Sequence, residues 1–160
     1  EVILEAGQPL GLRLAGGEAL NALRIEKGFL HWGADMAYTE APYQLGLDFI
    51  CKPGKTLPFI GQDACLARKA DPKGPCLRSV RLADPNAILH HNEPVLRDGQ
   101  IIGFVTSGAF CAMQKAAVGL CLVSPHDGAG GFEAVDDGPC SVMVEGREVP
   151  AELRRKPFGA

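Results

Sequence analysis

The run Asp71-Pro72-Lys73-Gly74-Pro75 constrains this chain more than any other feature. Proline locks φ and lacks an N–H, and glycine here adds a turn signal, so neither a helix nor an inner strand passes through such a stretch. It reads as a domain boundary between residues 1–74 and residues 75–160. The texture differs on its two sides. Before it, Glu18 to Leu23 reads as a short helix after the Gly16-Gly17 break. Pro42 opens a helical turn that holds Tyr43, Gln44 and Leu45. Leu47 to Cys51 reads as a strand. Gly61 to Ala70 reads as a helix, with Ala64, Cys65 and Ala67 at helical spacing and Arg68 and Lys69 in the last turn.

After the boundary the pattern turns to strands. Leu77, Val80 and Leu82 form one set. Val95 to Arg97, then Asp98-Gly99, then Gln100 to Thr106 spell a hairpin, because Asp-Gly tolerates the positive φ that a two-residue turn demands. Ala116 to Val123 and Ser141 to Val144 add two strands, and Val144 and Val149 flank a further hairpin at Glu145-Gly146-Arg147. The expected class is α+β: a partial α/β segment, then a small antiparallel β-barrel or sandwich.

Composition narrows the function classes. A 46% apolar fraction with a net charge of −3 suits a chain with a real core, not a disordered one. No apolar run reaches the ~20 residues of a membrane helix, so no membrane partner is expected. The pI near 5.8 gives no support to a nucleic-acid binder. Residues 1–74 carry 8 basic and 9 acidic side chains, and residues 75–160 carry 8 and 10, so neither half is basic. Glu1-Val2-Ile3-Leu4 shows no initiator Met and no secretory leader pattern, which suggests a piece of a longer protein.

The cysteines at 51, 65, 76, 111, 121 and 140 include no CxxC pair. Most sit in apolar runs such as Phe49-Ile50-Cys51, and they read as buried free thiols in a reducing cytoplasm. His90 and His91 are adjacent, and no Cys or His stands at ligand spacing from either, so a metal site is not expected. Gly54-Lys55-Thr56 lacks the first glycine of a phosphate-binding loop, since position 49 is Phe. Gly128 to Gly131 lacks dinucleotide spacing, and no GxSxG elbow exists. Spacing therefore singles out no catalytic residue.

One concentration remains. Six of the ten aromatic residues (Phe29, Trp32, Tyr38, Tyr43, Phe49, Phe59) fall between 29 and 59, just after Arg24, Glu26 and Lys27. These residues suit a domain core flanked by surface charge. The other reading, behind that one, is a pocket for a flat heteroaromatic ligand, with ring walls and one cation.

The same residues carry a family likeness. Leu23-Arg24-Ile25-Glu26-Lys27-Gly28-Phe29, Trp32-Gly33-Ala34-Asp35-Met36 and Ala41-Pro42-Tyr43-Gln44-Leu45-Gly46-Leu47 resemble blocks of the tetrahydrofolate-dependent aminomethyltransferase family. That family includes the glycine-cleavage T-protein and the C-terminal parts of dimethylglycine and sarcosine dehydrogenases. Phe59 to Ala64, Asp98 to Gly108 and Val118 to Val123 continue the likeness, as do Val149-Pro150-Ala151 and Lys156-Pro157-Phe158 at its final strand. The resemblance implies residues 1–74 as the tail of the folate domain and 75–160 as the C-terminal β-barrel. It implies tetrahydrofolate as cofactor, a methylamine donor as substrate, and an N-terminal half or partner subunit that carries the catalytic carboxylate. The variants at Lys27, Phe29 and Trp32 lean toward the dehydrogenase branch, which would add FAD in an upstream domain. Arg24 carries over as a folate contact, with Trp32 and Phe49 as aromatic neighbours of the pocket. An ion pair is the other reading of Arg24, Glu26 reads as paired with a neighbouring cation, and Asp35 as the cap of a turn. His90-His91-Asn92-Glu93 and Phe110-Cys111-Ala112-Met113 depart from the family pattern. Gly61-Gln62-Asp63 also resembles a loop of the folate-binding iron–sulfur-assembly proteins, so a non-catalytic folate-binding or scaffold module is the alternative.

Overall fold

In a computed structural model of the chain, the described residues are 1–52, 54, 57–70, 74–125, 132, 135 and 138–159. Asp71 to Lys73 of the boundary run, Lys55-Thr56, His126 and Gly128 to Gly131 lie outside them. Among the described residues three α-helices come first: α1 (Val2–Gly7), α2 (Gly17–Lys27) and α3 (Gln62–Ala70). Six strands follow: β1 (Cys76–Leu82), β2 (Pro94–Arg97), β3 (Gln100–Cys111), β4 (Ala116–Val123), β5 (Cys140–Val144) and β6 (Arg147–Arg154). They close into an antiparallel barrel in the order β1-β4-β3-β2-β5-β6. The fold is α+β with a C-terminal barrel. No helix among the described residues is long and apolar enough to cross a membrane.

Turn chemistry sets the two tight hairpins. Asp98 and Gly99 have φ of 49° and 74°, and Glu145 and Gly146 have 50° and 75°. Positive φ at both central positions matches the right-handed twist of the flanking strands. The ladders on either side then pair Arg97 with Gln100 and Val144 with Arg147.

Alternation along the strands fills the interior with Val80, Leu82, Val95, Val105, Cys121, Val123, Val142 and Val144. On β4 the outward residues Val118 and Leu120 are buried too, against Ile25 of α2, Cys111 and Phe158. A strand covered on both faces reads as an unbroken apolar run, which is the sequence of β4. All six cysteines are free thiols, five buried and Cys65 half-buried.

The helix expected over Glu18 to Leu23 extends to Gly17–Lys27 and stops at Gly28, whose φ of 70° puts its N–H on the carbonyls of Arg24 and Ile25. The strand expected over Leu47 to Cys51 is absent: Asp48–Ile50 is a 3₁₀ turn, with Phe49 and Ile50 exposed. A short apolar run does not by itself separate strand from turn, and no neighbouring strand pairs with this one. Pro157 and Phe158, matched to the final strand, lie beyond β6. There Phe158 stacks under the Arg154 guanidinium at 3.8 Å, and the Gly159 N–H donates to the Glu26 carbonyl at 3.0 Å.

Gln44 ties the first part of the chain to the barrel. Its side-chain amide donates to the Pro75 carbonyl at 2.8 Å, and its own carbonyl accepts the Leu77 N–H at 2.7 Å. On β3, Gly108 lets the backbone at Leu89 and His90 lie directly against the strand, where any Cβ would collide with main-chain atoms. Gly108→Ala is expected to lower stability by about 1–3 kcal/mol in urea unfolding, as overpacked sites do. In denaturant without reductant, a thiol titration should count all six cysteines.

Candidate functional site

The site grows from the C-terminal end of α2. Gly28 turns the chain out of the helix, and the following segment folds back on itself. The Asp35 N–H donates to the His31 carbonyl at 2.9 Å, and the Gly33 N–H, with φ of 87° at Gly33, donates to the Met36 carbonyl at 2.8 Å. Asp35 caps this turn as its residue type suggests, its carboxylate accepting the His31 N–H at 2.9 Å.

The Asp35 side chain is fully buried and does more than cap. Its Oδ2 also accepts Arg24 Nη1 at 2.6 Å. Its Oδ1 accepts the hydroxyls of Thr106 at 2.5 Å and Ser107 at 2.7 Å. Each oxygen thus receives two donors, which satisfies a buried carboxylate. Arg24 in turn gives Nη1 to the Phe29 carbonyl at 3.3 Å and Nη2 to Ser107 Oγ at 2.7 Å. The ion pair anticipated as one reading of Arg24 is therefore present, and it is mostly shielded, with side-chain exposures of 16% and 0%.

A bulge makes this arrangement possible. Successive side chains on a strand point to opposite faces, so Thr106 and Ser107 would ordinarily not reach the same group. The pairing of β3 with β4 slips between Val105 and Ser107, where Val105 opposes Cys121 and Ser107 opposes Leu120. The extra residue re-aims the strand, and both hydroxyls meet Asp35.

Beside this cluster lies a cleft of about 880 Å³, bounded by Arg24 and Asn21 of α2, by β3 from Gln100 to Gly108, and by the His90-His91-Asn92 loop. Asn21 Nδ2 reaches the Gly108 carbonyl at 3.4 Å. The two adjacent histidines, the atypical loop of the sequence, both border it. Among the described residues no group of three or more His, Cys, Asp or Glu is placed to hold a metal ion.

The structure separates the expected site residues. Arg24 lines the cleft; Trp32 and Phe49 do not, although Gly33 and Ala34 next to Trp32 do. Trp32 is 62% and Phe49 64% exposed. Of the aromatic concentration, Phe29 and Tyr38 are exposed as well, whereas Tyr43 is buried and its hydroxyl donates to the Cys51 carbonyl at 3.3 Å. Glu26, read as paired with a cation, is instead buried beside Cys111. Burial raises the Cys111 thiol above its usual range, and its hydrogen bond to the Glu26 carboxylate raises it further. Sequence reading missed Asp35, Thr106 and Ser107 as a unit; the adjacent hydroxyls in the Thr106-Ser107-Gly108 stretch were the available signal.

The barrel closed by six antiparallel strands is an architecture that this chain shares with known proteins. Residues 1–55 match the family model described as the GCVT N-terminal domain, and residues 76–159 match that of the glycine cleavage T-protein C-terminal barrel domain. The chain belongs to the glycine-cleavage T-protein family.

Among curated relatives, 4-methylaminobutanoate oxidase (formaldehyde-forming) of Paenarthrobacter nicotinovorans is 40% identical over 99% of this chain and 18% of its own length. Mitochondrial dimethylglycine dehydrogenase of Rattus norvegicus is 38% identical over 100% of this chain and 17% of its own. An aminomethyltransferase of Porphyromonas gingivalis is 31% identical over 99% and 42%. The chain thus spans less than half the length of these relatives. The crystal structure of glycine cleavage system aminomethyltransferase T from Bartonella henselae superposes with a TM-score of 0.74 at 19% identity, covering 88% of this chain and 38% of that one, which shows the shared fold.

Removing one partner from a buried ion pair leaves the other charge uncompensated, at a cost of about 3–5 kcal/mol. Asp35→Ala and Arg24→Ala should each destabilise by that order in urea unfolding. The double variant should lose clearly less than the sum, which a double-mutant cycle measures.

Proposed function

We propose that this chain is the C-terminal part of a tetrahydrofolate-dependent aminomethyltransferase-type enzyme. The parent transfers a one-carbon unit from a methylamine donor of the glycine, sarcosine or dimethylglycine type to tetrahydrofolate. Residues 1–74 complete the folate domain, and residues 75–160 form the barrel that backs it. The N-terminal half, or a partner subunit, supplies the catalytic carboxylate, and this chain alone is inactive. An upstream FAD domain accompanies the reading, since two of the relatives are named as an oxidase and a dehydrogenase of methylated amines. A reducing cytoplasmic setting fits six free thiols.

The observation that carries the reading is Arg24, which stands in a family block and borders the cleft. The residues fit a polar folate group. A guanidinium has five N–H donors, and the hydrogen bonds to Asp35, Phe29 and Ser107 use three of them. The remainder, on a side chain still 16% exposed, are free to meet a carbonyl or ring nitrogen of a ligand. Trp32 and Phe49 stand outside the cleft, and their exposed rings are offered to the flat pterin or its aryl group in a pocket that the N-terminal half would complete. Bound folate supplies the nitrogen that takes up the carbon; this chain's part is to hold and orient it, which is positioning rather than proton transfer.

The test uses the full-length parent. Tetrahydrofolate titrated by calorimetry should bind, and dimethylglycine, sarcosine and 4-methylaminobutanoate should be tried as donors for 5,10-methylenetetrahydrofolate formation. Trp32→Ala and Phe49→Ala should each raise the folate Kd by up to about tenfold with little loss of stability, because both rings are solvent-exposed. Binding without turnover of any donor would favour a non-catalytic folate-binding module of the iron–sulfur-assembly type; no binding would favour a scaffold.

A further inference from the structure

We propose that Asp35 and Ser107 are positioning residues for folate, which fix the Arg24 guanidinium in the one orientation that presents its remaining donors to the cleft. The inference rests on the reading of Arg24 as a folate contact. Arginine is among the side chains with the most rotamer freedom to lose, so an unrestrained one at a cleft edge presents its donors in many directions. Here the planar head is held on two sides. Nη1 is taken by Asp35 Oδ2 at 2.6 Å and by the Phe29 carbonyl at 3.3 Å. Nη2 is taken by Ser107 Oγ at 2.7 Å, and that same hydroxyl donates to Asp35 Oδ1 at 2.7 Å. The three groups close a ring of hydrogen bonds that fixes the plane of the guanidinium as well as its location.

The barrel builds the ring. Asp35 has no solvent exposure, and Ser107 is 5% exposed. Thr106 Oγ1 holds the same Asp35 oxygen at 2.5 Å, so the carboxylate cannot swing away when Arg24 moves. Both hydroxyls reach Asp35 only because the bulge sets them on one side of β3. Strand, turn and helix therefore converge on the orientation of a single cation, and that cation borders the cleft. Pre-organisation of this kind lowers the ordering cost of binding.

The experiment compares the full-length wild-type parent with Ser107→Ala and Asp35→Asn by thermal unfolding, with and without a fixed concentration of tetrahydrofolate. Ligand raises the melting temperature according to its Kd, so the ligand-induced increment reports binding separately from the stability of the free protein. Both variants should melt earlier in the absence of folate. If they position Arg24, the increment shrinks as well, with a Kd increase of about tenfold for Ser107→Ala, one step on the affinity scale. Ser107→Ala keeps the ion pair, so it tests the idea even if Asp35→Asn does not fold. An unchanged increment in folded Ser107→Ala overturns the positioning role and leaves the folate reading standing. No increment in the wild type overturns both.

Discussion

A carboxylate without solvent has to be matched donor for donor, and Asp35 is matched by four groups drawn from three parts of the chain. Desolvation of an unmatched charge costs several kcal/mol, so the fold around Asp35 is defined by the need to bring those donors together. The turn after α2, the approach of α2 to the barrel and the slip in β3 are the three ways this chain meets that need. The cleft inherits its edge from the same arrangement, because the cation that answers Asp35 also borders it.

The barrel is the platform for this and is shaped accordingly. β4 is apolar on both faces because it has the barrel interior on one side and α2 with Phe158 on the other. That double burial anchors α2 through Ile25, one residue after Arg24. The chain after β6 completes the clasp: Phe158 joins the same apolar cluster, its carbonyl accepts Gln114 Nε2 at 2.9 Å, and Gly159 bonds the Glu26 carbonyl. Helix position is therefore set by apolar contact, and the guanidinium orientation by polar contact.

Local chemistry made much of this legible from sequence. Asp98-Gly99 and Glu145-Gly146 gave hairpins where two-residue turns allow them, and the unbroken run Ala116 to Val123 gave a strand. The stretch Leu47 to Cys51 did not, because a short apolar run takes its shape from what pairs with it. The aromatic concentration was ambiguous for a related reason: Tyr43 went inward and Trp32 and Phe49 stayed outside, and ring content says nothing about which. The hydrogen-bonded cluster lay further out of reach. Its members stand at 24, 31, 35, 106 and 107, and a one-residue slip in register, invisible to alternation, decides that two neighbouring hydroxyls share a target.

That spread in sequence has a consequence for how the protein is born. Arg24 and Asp35 leave the ribosome together, whereas Ser107 follows Asp35 by 72 residues. At a synthesis rate of roughly 5–20 residues per second, the pair waits for several seconds before its hydroxyl partners exist. During that interval the nascent chain carries a cation and an anion whose final burial depends on a strand not yet made. The hydrogen-bonded ion pair at the cleft edge is therefore completed late in biogenesis, when β3 settles against β4.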